Sequence, residues 1–132
     1  MKDQIHIHLK NESESMSLIL VSMCGSYHAN MDWYPRCVSS WDRIQGTEEI
    51  FVLDDGSLTE DDCDLIRQVG HEIIEGKEIE KKVSDRIEPY PALEKMRERS
   101  STFRKVVDTN VLFGGEEKIL FVDSDVYVRG KV

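Results

Sequence analysis

The chain has 132 residues, 39% of them hydrophobic and 33% charged, and a formal net charge of −9. That length suits one domain with a real core, and the composition is that of a soluble globular protein. The acidic balance argues against nucleic acid as a partner, because phosphate backbones need a basic face; no apolar run approaches the roughly 18–20 residues of a membrane span; and the opening MKDQIHIHLK is too short and broken in its apolar part to be a secretion signal.

Residues 1–16 read as a polar lead or an edge strand, with IHIHL the one alternating stretch. His6 and His8 would share a strand face, the minimum for a metal pair, but no third ligand is near. SLILVSM (17–23) is a continuous apolar run, the mark of a strand buried on both faces, and Gly25-Ser26 breaks it. Trp33, Cys37, Val38 and Trp41 at helical spacing, with Pro35 near the start, predict a helix over 33–44. EIFVLDDGS (49–57) is a second buried strand. Ser57 and Glu60 fit a capping box for the helix after it, whose apolar face (Leu58, Leu65, Ile66, Val69) carries Asp62 as its one polar intruder. Gly70 stops that helix.

HEIIEG (71–76) is a short third strand. The charged stretch 77–91, ending in two prolines, reads as a mobile surface loop. Residues 92–113 give one helix, or two joined near Ser100-Ser101-Thr102, with Met96, Phe103, Val107 and Val111 as the buried stripe. KILFVDSDVYV follows Gly114-Gly115 as the last strand. The alternation of strands and helices predicts an α/β fold, a Rossmann-like and mostly parallel sheet with helices on both faces. The three cysteines, Cys24, Cys37 and Cys63, form no CxxC pair. They read as reduced, buried thiols in a cytoplasmic protein.

In such a sheet, ligands bind outside the carboxyl ends of the strands. Three ends bear polar residues: Ser22-Met23-Cys24, Asp54-Asp55-Gly56 and Asp123-Ser124-Asp125. With the first strand between the other two, the aspartate clusters would lie about 10 Å apart, the reach of a nucleoside. The helix after DDGS opens with Glu60, Asp61, Asp62 and Asp64, which makes it a poor phosphate cradle. Asp54 and Asp55 suit neutral donors such as ribose hydroxyls or a base N–H, or they cap the Gly56 turn. Asp123 and Asp125 on one side of an extended chain would repel unless a cation sat between them, and hard oxygen ligands suit Mg²⁺ or Mn²⁺.

The pair FVLDDGS and ILFVDSDVYV resembles the nucleotide-binding half of GT-A-type glycosyltransferases, over roughly residues 17–130. The first motif is similar to family-2-like enzymes, and EKILFVDSDVYVRG to retaining family-8-like ones. The resemblance implies a nucleotide-sugar donor, with a UDP-sugar the expected one, and a sugar or glycan acceptor. It makes Asp125 a direct ligand of Mn²⁺ or Mg²⁺ and gives Asp123 to the ribose or the metal. It gives Asp54 or Asp55 to the uracil or ribose and the backbone of Ser22 to Gly25 to the base. Arg104 and Asp108 fall where such enzymes reach the donor sugar.

Two departures stand out. The stretch after the first strand reads Ser22-Met23-Cys24-Gly25-Ser26-Tyr27 where family-2-like enzymes commonly show Pro-x-Tyr-Asn. The sequence also stops at Val132, where the family continues into an acceptor half, so residues 17–132 read as a nucleotide-sugar-binding domain cut soon after the donor site. An edge and apolar surface left open by that cut would favour a homo-oligomer. The competing readings are a non-catalytic nucleotide- or metal-binding module, an interaction protein whose aspartates only cap strands, and a haloacid-dehalogenase-like phosphatase. The phosphatase would use the two aspartates as nucleophile and general acid. Val126-Tyr127, where a Thr or Gly normally follows, and the lack of a later acidic pair speak against it.

Overall fold

The computed structural model describes residues 18–116 and 118–130. The expected lead over 1–16, with His6 and His8, lies outside the described residues. Four parallel strands form one sheet in the order β3-β2-β1-β4: β1 (Leu18–Cys24), β2 (Thr47–Asp54), β3 (Glu72–Ile74) and β4 (Ile119–Phe121). The fold is the expected α/β one. β1 is central because its run is apolar at every other position on both sides. Leu20 and Cys24 pack in one layer and Val21 and Met23 in the other.

The first layer is covered by α1 (Ser26–Ala29), α2 (Tyr34–Ser40) with a 3-10 turn at Trp41–Arg43, and α3 (Glu60–Gln68). Tyr34, Val38, Trp41 and Ile66 are fully buried there against Leu20 and Val52. The second layer is covered by α4 (Gly76–Ile87) and α6 (Ser101–Phe113), which bury Ile79, Val83, Val107 and Phe113 against Val21 and Leu53. Between those two helices in sequence comes α5 (Pro91–Arg99), with its proline in the first turn, where the missing N–H costs nothing. No helix among the described residues is long and apolar enough to cross a membrane.

Several local expectations need correction. The helix expected over 33–44 is α2 followed by the 3-10 turn, with Pro35 in the first turn of α2 as expected, and the short α1 before it was not expected. The box that opens α3 sits two residues later than expected. Thr59 accepts from the Asp62 N–H, and the Asp62 carboxylate accepts from the Thr59 N–H at 2.9 Å. Asp62 is thus no intruder on the apolar face but the cap itself, 6% exposed.

The stretch 77–91 is not a loop. It is α4, which buries Ile79, Val83 and Ile87, spaced four residues apart, and it runs on through a short turn into α5. Residues 92–113 resolve into two helices. Ser100 ends α5 and caps α6 by accepting from the Phe103 N–H at 3.1 Å. Met96 is 48% exposed, and the buried residue of α5 is Arg97.

Arg97 is buried because it has partners. Its Nε and a terminal nitrogen grip the two oxygens of Asp108 at 2.6 and 3.1 Å, a bidentate pair. Glu80 of α4 takes Arg97 and Arg104, each at 2.8 Å. The cluster therefore pins α4, α5 and α6 together. Burial works against the charge on Arg97, but the hydrogen bonds to Asp108 and Glu80 outweigh it and hold its pKa above the ordinary value. The Arg97 bond and charge, with that of Arg104, hold the Glu80 carboxyl below its usual range.

Candidate functional site

The carboxyl ends of β1, β2 and β4 meet a cleft of about 330 Å³, closed on its far side by the start of α6. Met23, Cys24 and Gly25 line it from β1, Asp55 from β2, Arg104 and Lys105 from α6. His28 of α1 and Ser124, beyond β4, add to the polar wall, together with Arg97 and Glu98 at the end of α5 and Ser101 at the start of α6. Of the donor contacts expected from sequence, Met23, Cys24, Asp55 and Arg104 are brought together here. Ser22 is not. It lies in register with Val52, wholly buried, with its hydroxyl unpartnered among the described residues. Cys24 offers no thiolate, because burial, with the charge of Asp55 and its neighbours, pushes its pKa up to about 11.

The end of β2 is a tightly tied turn. Asp54 Oδ1 accepts from the N–H groups of Gly56 (2.7 Å) and Leu58 (3.2 Å), and its Oδ2 faces the Gly76 N–H at the start of α4 (3.3 Å). Gly56 has φ +103°, which other residues rarely adopt. Asp54 is thus a clasp. It lines a neighbouring, larger cleft of about 650 Å³ between α3 and α4, where Glu60, Glu75 and Glu80 face Arg67 and Lys77. Asp55 Oδ1 takes the Ser57 N–H (2.9 Å) and hydroxyl (2.6 Å), and that hydroxyl accepts from the Ser26 N–H (2.8 Å). The free oxygen, Asp55 Oδ2, lies against Gly25, where any Cβ would overlap it. Gly25 is therefore needed for the approach of a carboxylate, and Asp55 keeps one oxygen for the cleft.

The acidic triplet departs most from expectation. β4 ends at Phe121, and the chain bends in a turn in which Val126 N–H donates to the Asp123 carbonyl at 3.1 Å. Asp123 turns to the α6 layer, 3.0 Å from Lys105 Nζ. Asp125 is exposed, and its charge, after burial, raises the thiol pKa of Cys37 in α2. Neither carboxylate lines the cleft, and the residue that does is the one between them. Ser124, 5% exposed, shares a hydrogen bond of 2.5 Å with His28 Nδ1.

The cause is a set of bonds from the α2 layer to the chain beyond β4. Trp41 Nε1 donates to the Val126 carbonyl (2.9 Å), Arg43 donates to that of Val128 (2.6 Å), and Val128 N–H donates to Ser40 Oγ (2.9 Å). These take the backbone groups that a longer β4 would have offered to a neighbour.

The fit of a divalent ion can be judged from that geometry. A site shared by Asp123 and Asp125 in the cleft needs both to line it, and neither does. Among the described residues no three His, Cys, Asp or Glu side chains gather as a ligand set. The residues as placed do not fit a metal held by the triplet in the cleft. For the phosphatase alternative the same disposition turns the nucleophile candidate, Asp123, out of the cleft and onto Lys105. Asp108, expected near the donor sugar, is fully buried in the Arg97 pair.

His28, Lys105 and Ser124 were not anticipated from sequence. Ser124 sat between two louder residues, and nothing in GSYHAN marks His28 as belonging beside a serine 96 residues away. Compared with known protein families, with curated proteins and with solved structures, the chain gives no match.

Proposed function

We propose that this chain binds the nucleotide of a nucleotide-diphospho-sugar, a UDP-sugar in the first instance, as the donor-binding part of a glycosyltransferase. The observation that supports the reading is the shared cleft. Met23, Cys24, Gly25, Asp55 and Arg104 come from three separate segments and line one hollow at the carboxyl edge of a parallel sheet, the usual ligand position in open α/β folds. Its volume, about 330 Å³, lies in the range of small-ligand sites. In this reading Asp55 Oδ2 accepts from a ribose hydroxyl, the Cys24–Gly25 backbone meets the base, and Arg104 and Lys105 face the phosphates. Tyr27, 75% exposed beside His28, offers a ring for stacking.

A binding module without transfer is the second reading, favoured by one observation: neither Asp123 nor Asp125 lines the cleft. Thermal unfolding with UDP, ADP and UDP-sugars tests the first step. Ligand at about 100 times its Kd adds about 2.7 kcal/mol, which moves a midpoint by several degrees. A midpoint unmoved by any nucleotide ends the donor reading. A shift with UDP, but no sugar released or transferred from UDP-sugars to any acceptor tried, leaves the module.

A further inference from the structure

Resting on the donor reading, we propose that this chain binds a nucleoside diphosphate without a divalent ion, and that Arg104 and Lys105 neutralise the phosphates in its place. Three observations carry this. First, the triplet that would hold an ion presents Ser124 to the cleft, and neither Asp123, which pairs with Lys105 at 3.0 Å, nor Asp125 lines it.

Second, the turn is not free to rearrange. Trp41, Arg43 and Ser40 hold the chain just after it, and His28 holds Ser124 itself. Bringing both carboxylates into the cleft means breaking several of these bonds at once, each with buried or half-buried partners.

Third, two cations already face the hollow with donors to spare. Lys105 Nζ has three donors, and one meets Asp123 at 3.0 Å. Arg104 spends one terminal nitrogen on Glu80 at 2.8 Å and turns its buried Nε to Asp108 Oδ2 at 3.7 Å, so the other terminal nitrogen is the donor it has for a ligand. The Arg97–Asp108 pair fixes the helix that carries Arg104, so its guanidinium is presented from a rigid base. Asp123 then serves as the resting partner of Lys105, an exposed pair of small net worth that a diphosphate can share or displace.

Calorimetric titration of UDP into the full chain, in chelator and again in Mn²⁺, tests the proposal. The expected result is binding in chelator, with a Kd changed less than about threefold by Mn²⁺. Lys105→Met should weaken it about tenfold in both media, as loss of one well-placed charge on a phosphate does, while Asp125→Asn leaves it unchanged. Electron paramagnetic resonance of Mn²⁺ alone should show the free aqueous signal undiminished by the chain. Binding that needs Mn²⁺, or a Mn²⁺ signal quenched by wild type and restored in Asp125→Asn, overturns the proposal and leaves the donor reading standing. No UDP binding in either medium overturns both.

Discussion

β2 and β4 both run into two aspartates, and the two pairs are held in opposite ways. After β2 the carboxylates hold the chain: Asp54 and Asp55 accept from the backbone of Gly56, Ser57 and Leu58 and fix the turn. After β4 the chain is held by others, through Trp41, Arg43, Ser40 and His28, and the carboxylates are left as exposed charges. The difference lies in the residues just beyond each pair. Gly56 lets the chain fold back so that three N–H groups reach the carboxylates. Val126 and Val128 instead offer backbone groups to side chains of α2 and the 3-10 turn. An acidic pair at a strand end is therefore a clasp or a pair of exposed charges, depending on who owns the neighbouring N–H groups.

A third aspartate marks the extreme of this scale and gives the largest expected effect. Asp108 is fully buried and answered by Arg97. Arg97→Met removes both short hydrogen bonds of this buried carboxylate, leaving it only Arg104 Nε at 3.7 Å, and should cost about 3–5 kcal/mol in denaturant unfolding. Replacing both partners with apolar residues should recover most of that loss. A single variant within about 1 kcal/mol of wild type would mean that water reaches Asp108.

Next comes the direct contrast of the two strand ends. Asp54→Ala removes the acceptor of three backbone N–H groups and should cost about 1–3 kcal/mol, whereas Asp125→Ala should stay within about 0.5 kcal/mol. Equal losses from the two variants, read as midpoints at unchanged m-value, would erase the distinction between clasp and exposed charge.

The smallest effect concerns pH. Burial raises the Asp62 carboxyl pKa, but the Thr59 N–H and hydroxyl, helped by Ser26 and Asn30, pull it further down, so it lies below the ordinary carboxylate value in the folded chain. Its contribution is therefore fully present above the unfolded pKa of about 3.9 and lost as pH falls through the lower, folded value. The stability gap between wild type and Asp62→Asn should be constant near neutral pH and shrink below about pH 4. A gap that widens in acid would reverse the assigned sign.

How much of this was legible in the sequence varied with the range of the interaction. The parallel sheet and its central strand were readable because SLILVSM and EIFVL are almost unbroken apolar runs, which strands covered on both faces call for. α4 was not, because its three buried residues, Ile79, Val83 and Ile87, are diluted by nine others, most of them charged. The cap of α3 was misplaced by two residues, since Ser57 and Thr59 both precede an acid by three. Met23, Cys24, Asp55 and Arg104 meet at one cleft because strand ends and helix starts share the carboxyl edge of such a sheet, whereas Ser22 and Asp123, singled out with them, do not line it. The orientation of Asp123 and Asp125 was out of reach: it is decided by Trp41 and Arg43, some 85 residues earlier in the chain.

The sheet order also sets a schedule for assembly. Ile19 pairs with Glu49 of β2 on one side and with Ile119 on the other, a hundred residues further along. On a ribosome adding about 5–20 residues per second, β1 can find β2 early but waits about 5–20 s for β4. During that interval one edge of the most apolar strand stands open to any other strand nearby, and closing so long a loop is slow even after synthesis. The strand with the deepest burial in the finished protein is thus the one most exposed to mispairing while the protein is being made.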